Sequence, residues 1–440
     1  MGMGKSKVLV VGRGGREHAL AWKFSQCPSV GAVYAAPGSR GMAGAAEQVG
    51  IAESDFGALA AFAKKEGIDL TVVGPEAPLV GGIADRLASE GLPVFGPSAA
   101  AAQIEGSKSF AKGLMIRHGI PTAGHEAFSD CAAACRHAEE CAMPVAIKAD
   151  GLAAGKGVVI AADRKEAQEA LREMMEGGRF GDASRTVVVE EFLEGEEFSL
   201  MALVCGERAW PMALSQDHKR AFDGDLGPNT GGMGAYSPVP QIPASVQSAA
   251  EGIAEKAAAA LASEGRSFTG FLYAGLIATA EGPKVIEFNA RLGDPEAQAL
   301  LPRLESDLFE AISALTRGGR ESAAGMRWSG GAAVAVVLAS KGYPGEYPSG
   351  FPIEGLGDLM PDTLAFHGGT DVRGGRLTAA GGRALALARR APTIAQAQKE
   401  AYEEIGKIRS PGLFWRGDIG WRALAACGEG AARGADAARP

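Results

Sequence analysis

Lys148-Ala149-Asp150-Gly151-Leu152-Ala153-Ala154-Gly155-Lys156-Gly157-Val158 is the stretch on which the reading of this chain turns. The apolar residues on either side read as strands over 144–149 and 157–162, so Lys148 is held on an extended segment and a glycine-rich hairpin follows it. Backbone N–H groups and an ammonium in such a hairpin can close over a polyphosphate. No G-x-x-x-x-G-K-[ST] is present, so this is not a Walker loop. Taken alone, the segment reads equally well as a phosphate loop or as an ordinary hairpin.

Two downstream segments bear on that choice. Glu190-Glu191-Phe192-Leu193-Glu194-Gly195-Glu196-Glu197 leaves an apolar strand (186–192) for a turn and re-enters a strand, with carboxylates clustered and no basic residue nearby in sequence. Such carboxylates hydrogen-bond a ligand's amino or hydroxyl groups, or face water in a solvated acidic turn. Val285-Ile286-Glu287-Phe288-Asn289-Ala290-Arg291 places residues 287, 289 and 291 on one face of a strand and 286, 288 and 290 on the other. One carboxylate, one amide oxygen and one guanidinium in a row suit a hard cation with an anion clamp beside it. A surface salt-bridge row is the alternative, and the flanking apolar runs argue instead for a central strand.

Upstream, the chain repeats strand, glycine turn, helix. Lys7–Gly12, Ala32–Ala36, Asp69–Val73 and Pro93–Phe95 each run into a Gly or Pro-Gly loop, which implies a parallel sheet whose ligands gather at the strand C-ends. The turn Gly12-Arg13-Gly14-Gly15-Arg16-Glu17 ends in Glu17 where the dinucleotide fingerprint needs glycine. What remains is a helix N-terminus with free N–H groups and Arg16 beside it, suited to a sugar phosphate, or a tight structural turn. A helix over 108–118 opens a second unit. Residues 122–194 read as a compact lid-like α+β module with a helix at 164–176. From 196 to about 320 the pattern is mainly strands and two long helices, broken by the polar run 215–240. Beyond Trp328 strands follow, closed by an amphipathic helix near 392–407.

Composition excludes several classes. With 46% hydrophobic and 22% charged residues over 440 positions, the chain is neither disordered nor a small stapled scaffold. A formal charge of −8 argues against a nucleic-acid-binding face. No apolar run approaches the length of a membrane helix, and the opening Met-Gly-Met-Gly-Lys-Ser reads as a start-site remnant rather than a lipidation signal. The six cysteines form no even framework, which fits a reducing cytoplasm. Cys131, Cys135 and Cys141 read as isolated thiols and not as zinc ligands.

The lysine strand with its glycine hairpin, the EEFLEGEE hinge and the EFNAR strand resemble, in this order and spacing, an ATP-grasp fold. GRGGREHALAW (12–22), VGPEAPLVGGIAD (73–85), IKADGLAAGKGV (147–158), SQDHKR (215–220), GPNTGGMGAYSP (227–238), FLYAGL (271–276) and EFNARLGDPE (287–296) together resemble the phosphoribosylamine–glycine ligase family, from about Lys7 to Leu424. The resemblance implies a multidomain α/β and α+β chain in three parts. These are an N-terminal Rossmann-like parallel-sheet domain (1–106), an ATP-grasp domain (107–322) with a mobile lid (about 122–194), and a small C-terminal α+β domain (323–430), before a frayed tail (431–440). It implies ATP as co-substrate with Mg²⁺ or Mn²⁺, glycine and 5-phosphoribosylamine as partners, no nucleic acid or membrane, and a monomer or weak dimer.

Carried over residue by residue, the resemblance gives Lys108 and Lys148 to the ATP phosphates, with the loop carrying Gly151, Gly155, Lys156 and Gly157 closing over them. Glu190 takes the adenine amino group, Glu191 and Leu193 the adenine edge, and Glu197 the ribose hydroxyls. Glu287 and Asn289 bind the metal, and Arg291 steadies the transferring phosphoryl group. Gly14, Gly15, Arg16, Glu17, Gly38, Pro75 and Glu76, with Asp217 and Lys219, line the phosphoribosylamine and glycine pockets. Lys148, Asp217, Lys219 and Arg291 form the catalytic set. Three features depart from the family's pattern: the strand Leu272–Leu276 lacks a further metal carboxylate, Arg13 replaces a small polar residue or Asn, and Ser39-Arg40 replaces Asn-Ala. A non-enzymatic nucleotide sensor would have lost Glu287, Asn289 or Arg291, and all three are present. Another carboxylate–amine ligase of the same fold is the remaining alternative.

Overall fold

The computed structural model describes residues 5–153, 157–178, 180–317 and 325–428. The strands β1 (Ser6–Gly12), β2 (Val30–Pro37), β3 (Glu47–Gln48), β4 (Leu70–Val73) and β5 (Val94–Phe95) form one sheet, all parallel, in the order β3-β2-β1-β4-β5. Val8, Leu9, Val10 and Val11 are fully buried, as a parallel sheet covered on both faces demands. Strand order reverses between β1 and β4, so the loops after them face one crevice at their C-ends.

The next sheet contains β6 (His125–Phe128), β7 (Val145–Ala149), β8 (Val158–Ala161) and β9 (Val187–Glu191), antiparallel in the order β6-β9-β7-β8. Its two faces are assigned by the period of two. Val145, Ile147, Val187 and Val189 pack with Ala134, Leu171 and Met174 of the helices Cys131–Glu140 and Arg164–Met175. Lys148 and Glu190 are left to the opposite face. Ala146 pairs with Glu190 and Lys148 with Val188, which makes Lys148 and Glu190 diagonal neighbours.

A third sheet runs β11-β10-β16-β17 through β10 (Glu196–Gly206), β11 (Arg208–Pro211), β16 (Phe268–Thr279) and β17 (Gly282–Asn289). β17, expected to be central, is an end strand. Its apolar character is explained by a cover: Pro121 O accepts the Val285 N–H at 2.8 Å, and Thr122 bridges to Val285 in parallel. The segment between the first helical unit and the second sheet thus caps this edge. A bulge at Ile286 restores Glu287 opposite Gly275, and β17 stops at Asn289, so Arg291 lies past the strand.

Residues 216–237 supply the short strands β12 (Gln216–Asp217), β13 (Arg220–Phe222), β14 (Leu226–Asn229) and β15 (Gly234–Ser237). β13 and β14 pair as a hairpin. β12 and β15 join the sheet β12-β15-β18-β22-β19, built with β18 (Ala332–Ser340), β19 (Leu364–His367) and β22 (Arg383–Ala391). β23 (Leu413–Phe414) pairs with β18, and β20 (Thr370–Arg373) and β21 (Arg376–Ala379) form a separate hairpin. Of the two long helices expected between 196 and 320, one is found, Ala244–Ser263. The others, Glu296–Leu300 and Leu308–Thr316, are short, the first running into a 3-10 turn at Leu301–Arg303 that carries Pro302. The closing helix spans Ile394–Ile405. The expected tail 431–440 lies outside the described residues. Among the described residues no helix is long and apolar enough to cross a membrane.

Candidate active site

One half of the cleft is built on β7, β9 and the helix Lys108–Arg117. Lys148 Nζ donates to Glu190 Oε2 at 2.9 Å and to Ile286 O at 3.2 Å, linking the two sheets. A second ammonium, Lys112, reaches the same Glu190 oxygen at 2.7 Å and also donates to Thr122 Oγ1. The absence of basic partners read from the acidic 190–197 run is thus overturned: the partners come from distant segments. Burial pulls the Lys112 ammonium down to about 8 against the opposing pull of Glu190. With both lysines on Oε2, Glu190 Oε1 is buried and has no hydrogen-bond partner. Lys112 escaped notice although it lies four residues from Lys108, one helical turn along the same face.

Lys108 Nζ donates to Ala149 O at 2.7 Å and Gly151 O at 3.2 Å, which seats it under the start of the hairpin. Gly151 N–H is held by Ala183 O at 2.9 Å, and a Cβ there would lie 2.9 Å from Ala183 Cα. Gly157 closes the far side by accepting from Ala149 N. Gly155 and Lys156 lie outside the described residues. Beyond β9, the Glu191 amide bonds Gly124 O, and Leu193 follows in the connection to β10. Gly195 is required at its end, because its φ is +153° and a Cβ would meet Ala278 O at 2.1 Å.

Glu197 pairs with Lys219 at 2.7 Å. Glu287 is drawn up by loss of solvent, but Lys219, Lys148, Lys108 and Arg291 prevail and hold its carboxyl below the usual range. Asp217 is pushed up to about 7 by desolvation, Lys219 opposing and Glu296, Glu197 and Glu287 adding to it. Glu197, Asp217 and Glu287 therefore share Lys219. Asn289 is buried at the end of β17 opposite Tyr273. Glu287 and Asn289 are hard oxygen donors two residues apart on a strand, with Glu287 held as the anion, so the pair fits a magnesium-type ion whose other ligands are phosphate oxygens and water. Among the described residues no group of three or more His, Cys, Asp or Glu is arranged to hold a metal, and the six cysteines are free. Burial pushes the Cys131 thiol up to about 12.

The other half surrounds the first glycine turn, where a side chain of the chain itself already takes one of the N–H groups. Glu17 Oε2 accepts the Gly14 N–H at 2.6 Å, Oε1 takes Arg16 Nε at 2.6 Å, and Arg16 also donates to Leu292 O. Cβ atoms at Gly12 and Gly74 would lie 2.4 and 2.1 Å from the Glu17 side chain, so these glycines make room for a carboxylate of the chain itself. Gly15 lies against Gln298, and Pro75 packs on Gly12. Asp294, held low by Arg383 and Arg16 with help from the Arg16 amide despite its burial, faces the same helix start. Arg291 lies between Glu105 (2.8 Å) and Glu76 (3.4 Å), and Glu105 also accepts the Ala290 N–H at 2.7 Å. Burial pushes Glu105 up to about 7, while Arg291 and Arg16 outweigh burial at Glu76 and hold it low. Glu105 had no sequence signal beyond being a lone carboxylate on an alanine-rich helix.

Gly38, in the left-handed region at φ +65°, donates to Gly12 O and borders a cavity of about 330 Å³ at the C-ends of β1–β3. Arg13, Ser39 and Arg40, the departures noted above, line it.

Three family models match in series: the phosphoribosylglycinamide synthetase N domain over residues 6–105, its ATP-grasp (A) domain over 106–297 and its C domain over 333–422. The class is therefore an ATP-grasp ligase. A phosphoribosylamine–glycine ligase of Halalkalibacterium halodurans is 54% identical over 419 residues, covering 95% of this chain and 97% of the relative. That of Salmonella typhimurium is 49% identical over 424 residues, 95% and 99% of the two chains. The crystal structure of phosphoribosylamine–glycine ligase from Thermotoga maritima matches with a TM-score of 0.83 at 33% identity, over 94% of this chain and all of that one (100%). The biotin carboxylase–β,γ-ATP complex of Campylobacter jejuni shares the fold, with a TM-score of 0.71 at 16% identity over 93% and 92%. The chain belongs to the phosphoribosylamine–glycine ligase family.

Proposed function

We infer that this chain uses ATP to join glycine to 5-phosphoribosylamine, giving glycinamide ribonucleotide, ADP and phosphate, a step of purine biosynthesis. The observation that carries the reading is Lys148 bonded at once to Glu190 Oε2 and to the Ile286 carbonyl next to Glu287, with Lys108 on the Ala149 carbonyl beside it and Asn289 at the end of the same strand as Glu287. A carboxylate is a poor electrophile, and converting it to an acyl phosphate needs cations gathered at the terminal phosphates of ATP. A glycine oxygen attacks the γ-phosphorus and ADP leaves. The ribosylamine nitrogen then attacks the glycyl carbonyl and expels phosphate, which carries away one former glycine oxygen.

We assign Glu190 Oε1, buried and without a partner, to the adenine amino group, Glu191 and Leu193 to the adenine edge, Glu197 to the ribose, and Lys108 and Lys148 to the phosphates. Glu287 and Asn289 would hold Mg²⁺ or Mn²⁺, which neutralises phosphate charge during transfer. Asp217, Lys219, Glu76, Pro75, Gly38 and the turn Gly14–Glu17 border the two remaining substrates, and Arg291 bridges that region to the phosphates. We propose a division of the chain at 106 and 322 and a lid over about 122–194. We propose a cytoplasmic location, a reading that the six unpaired cysteines support. Glycine labelled with ¹⁸O in its carboxylate tests the reading: label is expected in inorganic phosphate. Label in AMP, or ADP release that ignores glycine, would overturn it.

A further inference from the structure

In the first glycine turn Arg16 is engaged by Glu17 and Leu292, and the helix start by Glu17 and Asp294, which leaves Arg13. The cations left open at this end of the parallel sheet lie one step to the side. Arg13 and Arg40 line the cavity of about 330 Å³ together with Pro37, Gly38, Ser39, Gln48, Gly50, Thr370 and Asp371. Among the described residues neither guanidinium makes a hydrogen bond or ion pair, and both are exposed to the cavity mouth. Ser39 is 5% exposed, and its Oγ has no hydrogen-bond partner. A buried hydroxyl without a partner costs free energy unless a ligand supplies one.

The opposite wall comes from the C-terminal part of the chain. Asp371 accepts the Val372 N–H and has Arg373 Nε at 3.8 Å, and Thr370 Oγ1 is bonded to His367 Nδ1. Two guanidinium groups and an orphan hydroxyl recognise a doubly charged tetrahedral anion, while a single carboxylate across the cavity accepts hydroxyl protons. The volume exceeds what phosphate alone needs. We propose that this cavity is a phosphomonoester site: Arg13, Arg40 and Ser39 hold the phosphate group, and Asp371 faces the hydroxyls of the sugar that carries it. On the function proposed above, the phosphomonoester is the 5′-phosphate of the phosphoribosyl substrate. A separate phosphorylated effector would use the same chemistry.

The test is binding to the full chain without turnover. Ribose 5-phosphate and inorganic phosphate are titrated by calorimetry into the unaltered protein, Arg13→Gln/Arg40→Gln, Ser39→Ala, and Lys165→Gln as an exposed-charge control. The double variant is expected to weaken both ligands on the order of tenfold or more, Ser39→Ala by a few-fold, and the control not at all. Ribose 5-phosphate should bind more tightly than phosphate, and Asp371→Asn should erase that difference. A rise in KM for phosphoribosylamine with kcat kept in the double variant assigns the site to the substrate; weakened ribose 5-phosphate binding with unchanged KM assigns it to an effector. Equal binding by the unaltered and double-variant proteins would overturn the site. Because binding is read without ATP or glycine, that result is independent of whether the ligase reaction is correct.

Discussion

The two halves of the cleft use their charges in opposite ways. Around β7 and β9 two lysines crowd onto one oxygen of Glu190 and leave its other oxygen buried and open, while several cations surround Glu287. Around the first glycine turn most charges are answered within the chain, Arg16 by Glu17, Arg291 by Glu105 and Glu76, and Asp294 by Arg383, and Arg13 is the exception. The first half leaves a carboxylate oxygen open to a ligand, whereas the ion pairs of the second fix the position of Arg291. Burial alone does not separate such regions; the pairing of their charges does.

The contrast fails most visibly if the open half tolerates loss of its anion. Glu287→Gln, and separately Asn289→Ala, should lower kcat on the order of 10²-fold or more at saturating Mg²⁺ while the circular dichroism spectrum is unchanged. Near-normal turnover would mean that these oxygens face no ion. A smaller effect is expected at Lys112. With Lys112→Met, Glu190 is held by Lys148 alone and its free oxygen is no longer fixed, so KM for ATP should rise roughly tenfold with kcat changing less; an unchanged KM would make Lys112 a packing residue only.

The closed half should respond to pH and not to ATP. Glu105 is raised from its ordinary value to about 7 in the folded protein, so the folded state holds its proton through a window in which the unfolded chain has lost it. Its contribution to stability is present at low pH and declines as pH rises from about 4.5 to 7. His18, His218 and His367, buried and neutral with values lowered to about 3, 3 and 4, act in the other direction and cost stability as pH falls below 6.5. Comparison of Glu105→Gln with the unaltered protein isolates the first effect: the difference in urea unfolding free energy should change by about 1 kcal/mol or more between pH 5 and 7.5. A pH-independent difference would show that Glu105 is not protonated. The smallest expected change is local. Amide exchange over 150–157 should slow on ATP binding, whereas exchange over 12–17 should not.

The open half was legible where its residues sit on strands whose period of two separates a core face from a cleft face: Lys148 and Glu190 follow from Val145-Ala146-Ile147 and Val187-Val188-Val189 alone, whereas Lys112, on a helix, was missed. The closed half was not. The Ala290 amide and the Glu105 carboxylate are 185 residues apart, and Arg16 meets Leu292 across 276. Pairings of that kind leave no periodic mark on either segment. The first glycine turn read as a sugar-phosphate site or a tight structural turn, and Gly12 with Gly74 turn out to make room for Glu17. β17 looked central because its apolar residues are covered, and the cover is a connecting segment and not another strand.

Asp217 rides on β12, which hangs from β15, and β15 in turn is paired with β18 from beyond residue 331. A chain severed between 325 and 331 would therefore expose a bare row of amides and carbonyls along Gly234–Ser237, in a strand whose residues are all buried in the intact protein. The fragment ending there would be adhesive toward copies of itself. Supplying residues 325–428 in trans should restore solubility only as it restores the register Gly234 to Val336, so reassembly of two halves would be a matter of strand completion before it is one of surface docking.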